Sequence, residues 1–121
     1  MKYRVLFVVA TAYLMAACAC GPGLKYGDLV FVGENGSAFS SAIADATSDS
    51  EGTSWVHVGI IEVRGDSIFV IEAEPRNGVR RLPLAGFVAE QDGAVLKYMR
   101  LKTDFAADEA IARAKSRIGE P

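Results

Sequence analysis

Two apolar, β-branched runs separated by a four-residue turn constrain this chain more than any other feature. Trp55-Val56-His57-Val58-Gly59-Ile60-Ile61-Glu62-Val63 is followed by Arg64-Gly65-Asp66-Ser67, then by Ile68-Phe69-Val70-Ile71-Glu72-Ala73-Glu74, which Pro75 stops. Such runs bounded by Gly, Asp, Ser and Pro are strands, and their spacing predicts a hairpin. Around it, Leu29-Val30-Phe31-Val32 after Gly27-Asp28 reads as a buried strand. Residues 38–46 have helical spacing, with Phe39, Ala42, Ile43 and Ala46 on one face and Ser37 placed to cap. Residues 47–54 are polar and read as a loop. A short polar strand is expected at 78–82, a helical turn at 84–90 after Pro83, and a strand at 94–101. A helix is expected at 104–118, with Asp104 or Asp108 as cap, Lys115 and Arg117 at its C-terminal end, and Gly119-Glu120-Pro121 as its stop. Strand, helix, several strands and helix make an α+β chain with an antiparallel sheet.

The first twenty residues stand apart. Lys2 and Arg4 precede an apolar run, residues 5–17, interrupted only by Thr11, and Gly21-Pro22-Gly23 follows shortly after. A charged start, a short apolar stretch and small residues form a secretory signal peptide. The run is shorter than the ~20 residues a spanning helix needs. Leu14-Met15-Ala16-Ala17-Cys18 resembles a bacterial lipobox, with Cys18 as the lipidated residue; the alternative is a plain secreted protein. About 100 residues, 21–121, remain to form one domain.

Composition closes off several classes. The 121 residues are 50% apolar and 23% charged, which is globular rather than disordered stock. A net charge of −2 offers no basic face for nucleic acid. Both cysteines, Cys18 and Cys20, lie in the leader, so no disulfide framework and no Cys-rich zinc site can form downstream. The chain has one histidine, His57, so a multi-histidine metal site is excluded and no metal or cofactor is expected.

Strand alternation puts Trp55, His57 and Gly59 on one face and Val56, Val58 and Ile60 on the other, which reads as core. On the returning strand Val70, Glu72 and Glu74 share a face. Pairing Arg64 with Ser67 places His57 opposite Glu74, with Glu72 as its diagonal neighbour; a four-residue loop over 63–66 places it directly opposite Glu72. Either register gathers the imidazole and both carboxylates on one face. A carboxylate beside a lone histidine fixes its tautomer and readies the other nitrogen as a base. The alternative is a surface cross-strand pair with no chemistry.

Gly27-Asp28-Leu29-Val30-Phe31-Val32, then His57-Val58-Gly59-Ile60, then Val70-Ile71-Glu72-Ala73 resemble the NlpC-type papain-like cysteine hydrolases. Ala73-Glu74-Pro75, Gly78-Val79-Arg80 and the helix leading into Gly119-Glu120-Pro121 extend the resemblance to the circularly permuted members, over residues 27–121. It implies a papain-like α+β domain with a central antiparallel sheet and flanking helices. It also implies His57 as general base and Glu72 as the residue that orients it, with Glu74 as second choice. Permuted members carry the nucleophilic cysteine after these segments, so residues 21–121 are expected to be a domain incomplete at its C-terminus. Cys20 lies only seven residues before Gly27, too close for a nucleophile-bearing helix. No serine sits in a Gly-x-Ser-x-Gly elbow.

The resemblance implies a cell-envelope cysteine amidase or peptidase acting on peptidoglycan peptides or related amides and acyl esters, lipid-anchored at the periplasmic or outer-membrane face. The alternatives are an inactive envelope lipoprotein that binds a peptide or lipid fragment in the same groove, and a structural lipoprotein without ligand. Trp55 and Phe39 either line that groove or belong to the core. Arg80 and Arg81 either bind a carboxylate or sit on a solvated edge. The 121 residues alone are expected to be marginally stable and inactive, with the sheet face of Val56, Val58, Ile60 and Ile71 under-covered.

Overall fold

The structure, a computed structural model, describes residues 23–36, 38–47 and 54–121. The leader with Cys18, the Ser37 cap and most of the 47–54 loop lie outside the described residues. Strand β1 (Leu29–Gly33) leads to helix α1 (Ala38–Thr47), then β2 (Trp55–Arg64), β3 (Ser67–Glu74) and β4 (Gly78–Pro83). Helix α2 (Leu84–Glu90), β5 (Leu96–Met99) and helix α3 (Ala107–Ser116) complete the order. The five strands form one antiparallel sheet in the order β4-β3-β2-β1-β5.

The expected hairpin is β2–β3. Arg64 pairs with Ser67 and Ile60 with Ile71, so Gly65 and Asp66 alone make the turn. Gly65 has φ +56°, as the tight hairpin turns that match strand twist require.

The core lies on the face opposite to the one expected. Val30, Val32, Ile61, Val70 and Phe87 form the buried cluster, with Val63, Ile68, Leu82, Leu84 and Leu96 packed against it. Val58, expected inside, is 45% exposed, and Val56 and Ile60 are half-buried. The reason is that both faces of β2 carry apolar side chains, while His57 and Glu72 occupy the open end of the core face and make it look polar. Full burial of Val30, Ile61 and Val70 contributes ~1.5–3 kcal/mol each. Helix α2 closes this face with Phe87, which has no exposed surface. Helix α3 covers part of the other face. There Ile71 and Ile111 are buried, Lys115 reaches Glu62 at 2.8 Å, and the Arg81 guanidinium lies 3.5 Å over the Phe69 ring.

Two buried carboxylates hold the periphery. Asp28 accepts from Arg100 Nε and Nη2, both at 2.7 Å, and from the Lys25 backbone N–H, also at 2.7 Å. The Arg100 hydrogen bond outweighs burial, so this carboxyl is held below its ordinary range. Arg100 also donates to the Gly23 carbonyl, just beyond the end of β5, which is four residues long rather than the eight expected. Glu62 accepts from Arg81 and Lys115. Burial pushes it up, but its two cationic partners together hold it below the usual carboxylate range.

Both helix expectations need correction at their details. Helix α3 starts at Ala107 with Ala106 as an N-cap that makes no side-chain bond; Asp108 and Glu109 instead sit in its first turn, favourable to the helix dipole. In α1 the residues turned inward are Ser40 and Ala44, with Ile43 half-buried, while Ala42 and Ala46 face solvent. Ser40 is drawn in by the turn before the helix, where its Oγ accepts from the Asn35 N–H at 3.1 Å.

Candidate active site

The site is built where β1, β2, β3 and β4 end together. His57 pairs with Val32 of β1 and Glu72 with Arg80 of β4. With the hairpin in the Arg64–Ser67 register, Glu72 is the diagonal neighbour of His57, and its Oε2 hydrogen-bonds Nε2 of the imidazole. Glu72 is 4% exposed. Its other oxygen, Oε1, accepts from Arg80 Nε at 2.8 Å, and Arg80 Nη2 lies 2.6 Å from it. The far side of the same guanidinium binds the Glu90 carboxylate at the end of α2. Burial pushes the Glu72 carboxyl up, but bonds from His57 and Arg80, with their charges, hold it below its ordinary value. Glu72 is therefore an ionised acceptor, and the imidazole that hydrogen-bonds it through Nε2 keeps Nδ1 for other work.

Phe87 lies beside His57, with ring centroids 6.4 Å apart and planes 25° from parallel. Gly59, on the same face and paired with Val30, lets the core valines pack close against β2 beside this corner. A Cβ there would meet Val70 Cγ1 and come within 3.3 Å of Val30 Cγ1. A cavity of about 750 Å³ opens in front of the pair, lined by Val32, Ile43, Val56, His57, Glu72 and Arg80 and by Glu74, Arg76, Asn77 and Gln91.

Glu74 shares the cavity but not the contact. Its Oε1 accepts from the Asn77 N–H and closes the turn after β3. Glu72, not Glu74, touches the imidazole. Trp55 is not on the His57 face. β1 pairs Val32 with His57 and then Gly33 with Trp55, so Val56 is an extra residue, a β-bulge. The bulge reverses the alternation beyond it: Val56 joins the cavity, while Trp55 packs edge-on against Phe31 with Lys97 5.6 Å over its ring. The Phe39 side chain lies outside the described residues. Both arginines of β4 bind carboxylates of this chain, Arg80 on the site face and Arg81 on the other. The link from Arg80 to Glu90 was not foreseen, since it joins a strand to a helix ten residues on. Among the described residues no group of three or more His, Cys, Asp or Glu is placed to hold a metal ion.

The family described as permuted papain-like amidase enzyme, YaeF/YiiX, C92 family, matches residues 23–121. The chain belongs to this family. Its five-stranded antiparallel sheet with three helices is accordingly a permuted papain-like α+β fold. No curated protein and no solved structure matches the chain. Membership in a permuted papain-like amidase family makes cysteine-hydrolase chemistry the general setting in which the His57–Glu72 pair is to be understood.

Proposed function

We propose that His57 is the general base and Glu72 its orienting partner in an NlpC-type amidase site that opens amide or acyl bonds of cell-envelope substrates. The observation that carries this reading is the bond from His57 Nε2 to a buried, doubly anchored Glu72. A thiol at Nδ1 would lose its proton to the imidazole and attack the carbonyl carbon. The thioester would form as the imidazolium returns the proton to the leaving amine, and water activated by the same nitrogen would release the acid. Residues 21–121 contain no cysteine, so the thiol this base would serve is not among them. The polar side chains of Glu74, Arg76, Asn77 and Gln91 in the cavity lining suit a hydrophilic peptide better than a fatty chain. Cys18 in its lipobox-like setting would tether the protein to the envelope. The test is hydrolysis of peptidoglycan-derived peptides and simple amides by the full gene product, with His57→Ala and Glu72→Gln beside it. Loss of activity in both, with the fold intact, is expected; activity that survives His57→Ala refutes the assignment. The same cavity in an inactive protein would bind such peptides without turnover, and that outcome would favour the binding module.

A further inference from the structure

We infer that Arg80 is the positioning residue of this site and that Glu90 holds it there. The inference rests on the base–orienter reading of His57 and Glu72. A glutamate has three side-chain torsions, and its two oxygens exchange when the last one turns. A carboxylate held only by an imidazole could therefore present either oxygen, or swing toward the cavity. In this site Oε1 is taken by Arg80, through Nε at 2.8 Å and Nη2 at 2.6 Å, which leaves Oε2 as the oxygen that faces His57. Arg80 sits directly across from Glu72 in the β3–β4 ladder, so the backbone register sets the distance between them. Its guanidinium is planar and presents donors along two edges. One edge meets Glu72 and the other meets Glu90, with Nη1 3.4 Å from Oε1. Rotating the guanidinium away from Glu72 would break the Glu90 contacts as well. The series Glu90–Arg80–Glu72–His57 thus links α2, β4, β3 and β2 and ends on a single imidazole nitrogen. A lysine would supply the charge but not two donor edges in one plane.

A purely structural ion pair would fasten α2 to β4 and leave the imidazole unaffected, so the decisive readout is the imidazole itself. His57 is the only histidine among these 121 residues, and ¹⁵N-detected NMR of the histidine-labelled full gene product reports it, with the signals lost in His57→Ala identifying it. The wild type is expected to show one tautomer, with the proton on Nε2. Arg80→Met is expected to show mixed tautomers and to lower kcat about ten- to hundredfold, the scale on which small misplacements act. It should also move the acid limb of the pH profile upward, because Glu72 loses a cationic partner that favours its ionised form. Arg80→Lys should lie between. Glu90→Gln, which leaves Arg80 in place, should shift the same readouts less; it is the second variant if Arg80→Met does not fold. The proposal is overturned if the Arg80 variants keep the wild-type tautomer and pH profile while Glu72→Gln changes both. If Glu72→Gln changes neither, it is the base–orienter reading itself that fails.

Discussion

Phe87→Ala tests how α2 is seated. The helix has seven residues and no side-chain N-cap, so its own turns supply little stability. What holds it is Phe87, with no exposed surface, set into Val30, Val32, Ile61 and Val70 and lying against His57. Truncating a fully buried phenylalanine costs about 3–5 kcal/mol, from lost transfer energy and the cavity left behind. Against a typical total of about 5–15 kcal/mol, that is a large share of the stability. For a domain near 100 residues it lowers the melting temperature on the order of 12–40 °C. Val88→Ala is the control: its neighbour in the same helix is 41% exposed, and the change should stay within about 0.5 kcal/mol. Urea unfolding followed by Trp55 fluorescence suits the comparison, because Trp55 packs on the other face beside Phe31 and is untouched by the substitution. The midpoint should fall while the slope is unchanged. A loss for Phe87→Ala below about 1 kcal/mol, or equal to that of Val88→Ala, would show that α2 does not close the core face as described.

Acid should unfold the protein through three carboxylates, Asp28, Glu62 and Glu72, whose folded-state values lie below their ordinary ones. Their contribution is fully present above the ordinary carboxylate range, roughly pH 4–4.5, and is lost as pH falls through the lower folded values; urea midpoints between pH 6 and pH 2.5 should decline, and Glu62→Gln should flatten part of that decline. Gly78→Ala should cost at least about 1–2 kcal/mol, because Gly78 has φ +65° and a Cβ there would meet the backbone of Glu120 and Pro121; an unchanged melt would refute that contact. Val58→Thr should shift stability by no more than about 0.5 kcal/mol, although Val58 sits in the middle of a strand, because it faces away from the core and is 45% exposed; a loss above about 2 kcal/mol would return the core to its face.

The hairpin was readable because its turn residues and its β-branched runs agree with each other. Arg64 and Ser67 set one register, and that register alone makes Glu72 the diagonal partner of His57. Two things were not readable. The core face was inverted because a site cut into the open end of a buried face puts polar residues on it, and alternation then mistakes that face for the solvent side. The Val56 bulge was hidden because nothing in Trp55-Val56-His57 distinguishes an extra residue from an ordinary strand; its only trace is the mismatch between Val32–His57 and Gly33–Trp55. That single insertion removed Trp55 from the cavity and put Val56 in its place. Arg80 was seen as a carboxylate binder in principle, but its two partners come from strand pairing and from α2, which spacing alone does not place. The inward turn of Ser40 follows from its hydrogen bond from the Asn35 N–H, which outcompetes the expected helical face.

The two margins of the sheet bear on how this protein behaves at high concentration. An unpaired strand margin invites a second molecule to add its own strand, and chains with two such margins can polymerise. Here the β4 side is occupied by the chain itself, since Val79 N–H donates to the Glu120 carbonyl at 2.9 Å and Gly119 N–H to the Val79 carbonyl at 2.9 Å. On the β5 side the strand is only four residues long, carries Lys97, and is followed at once by Arg100, whose side chain is tied to Asp28. Ionic and backbone contacts made for local order thus double as a guard against fibre growth, and the close approach of Gly78 to Glu120 is the point at which a single substitution would uncover the six-residue margin of β4.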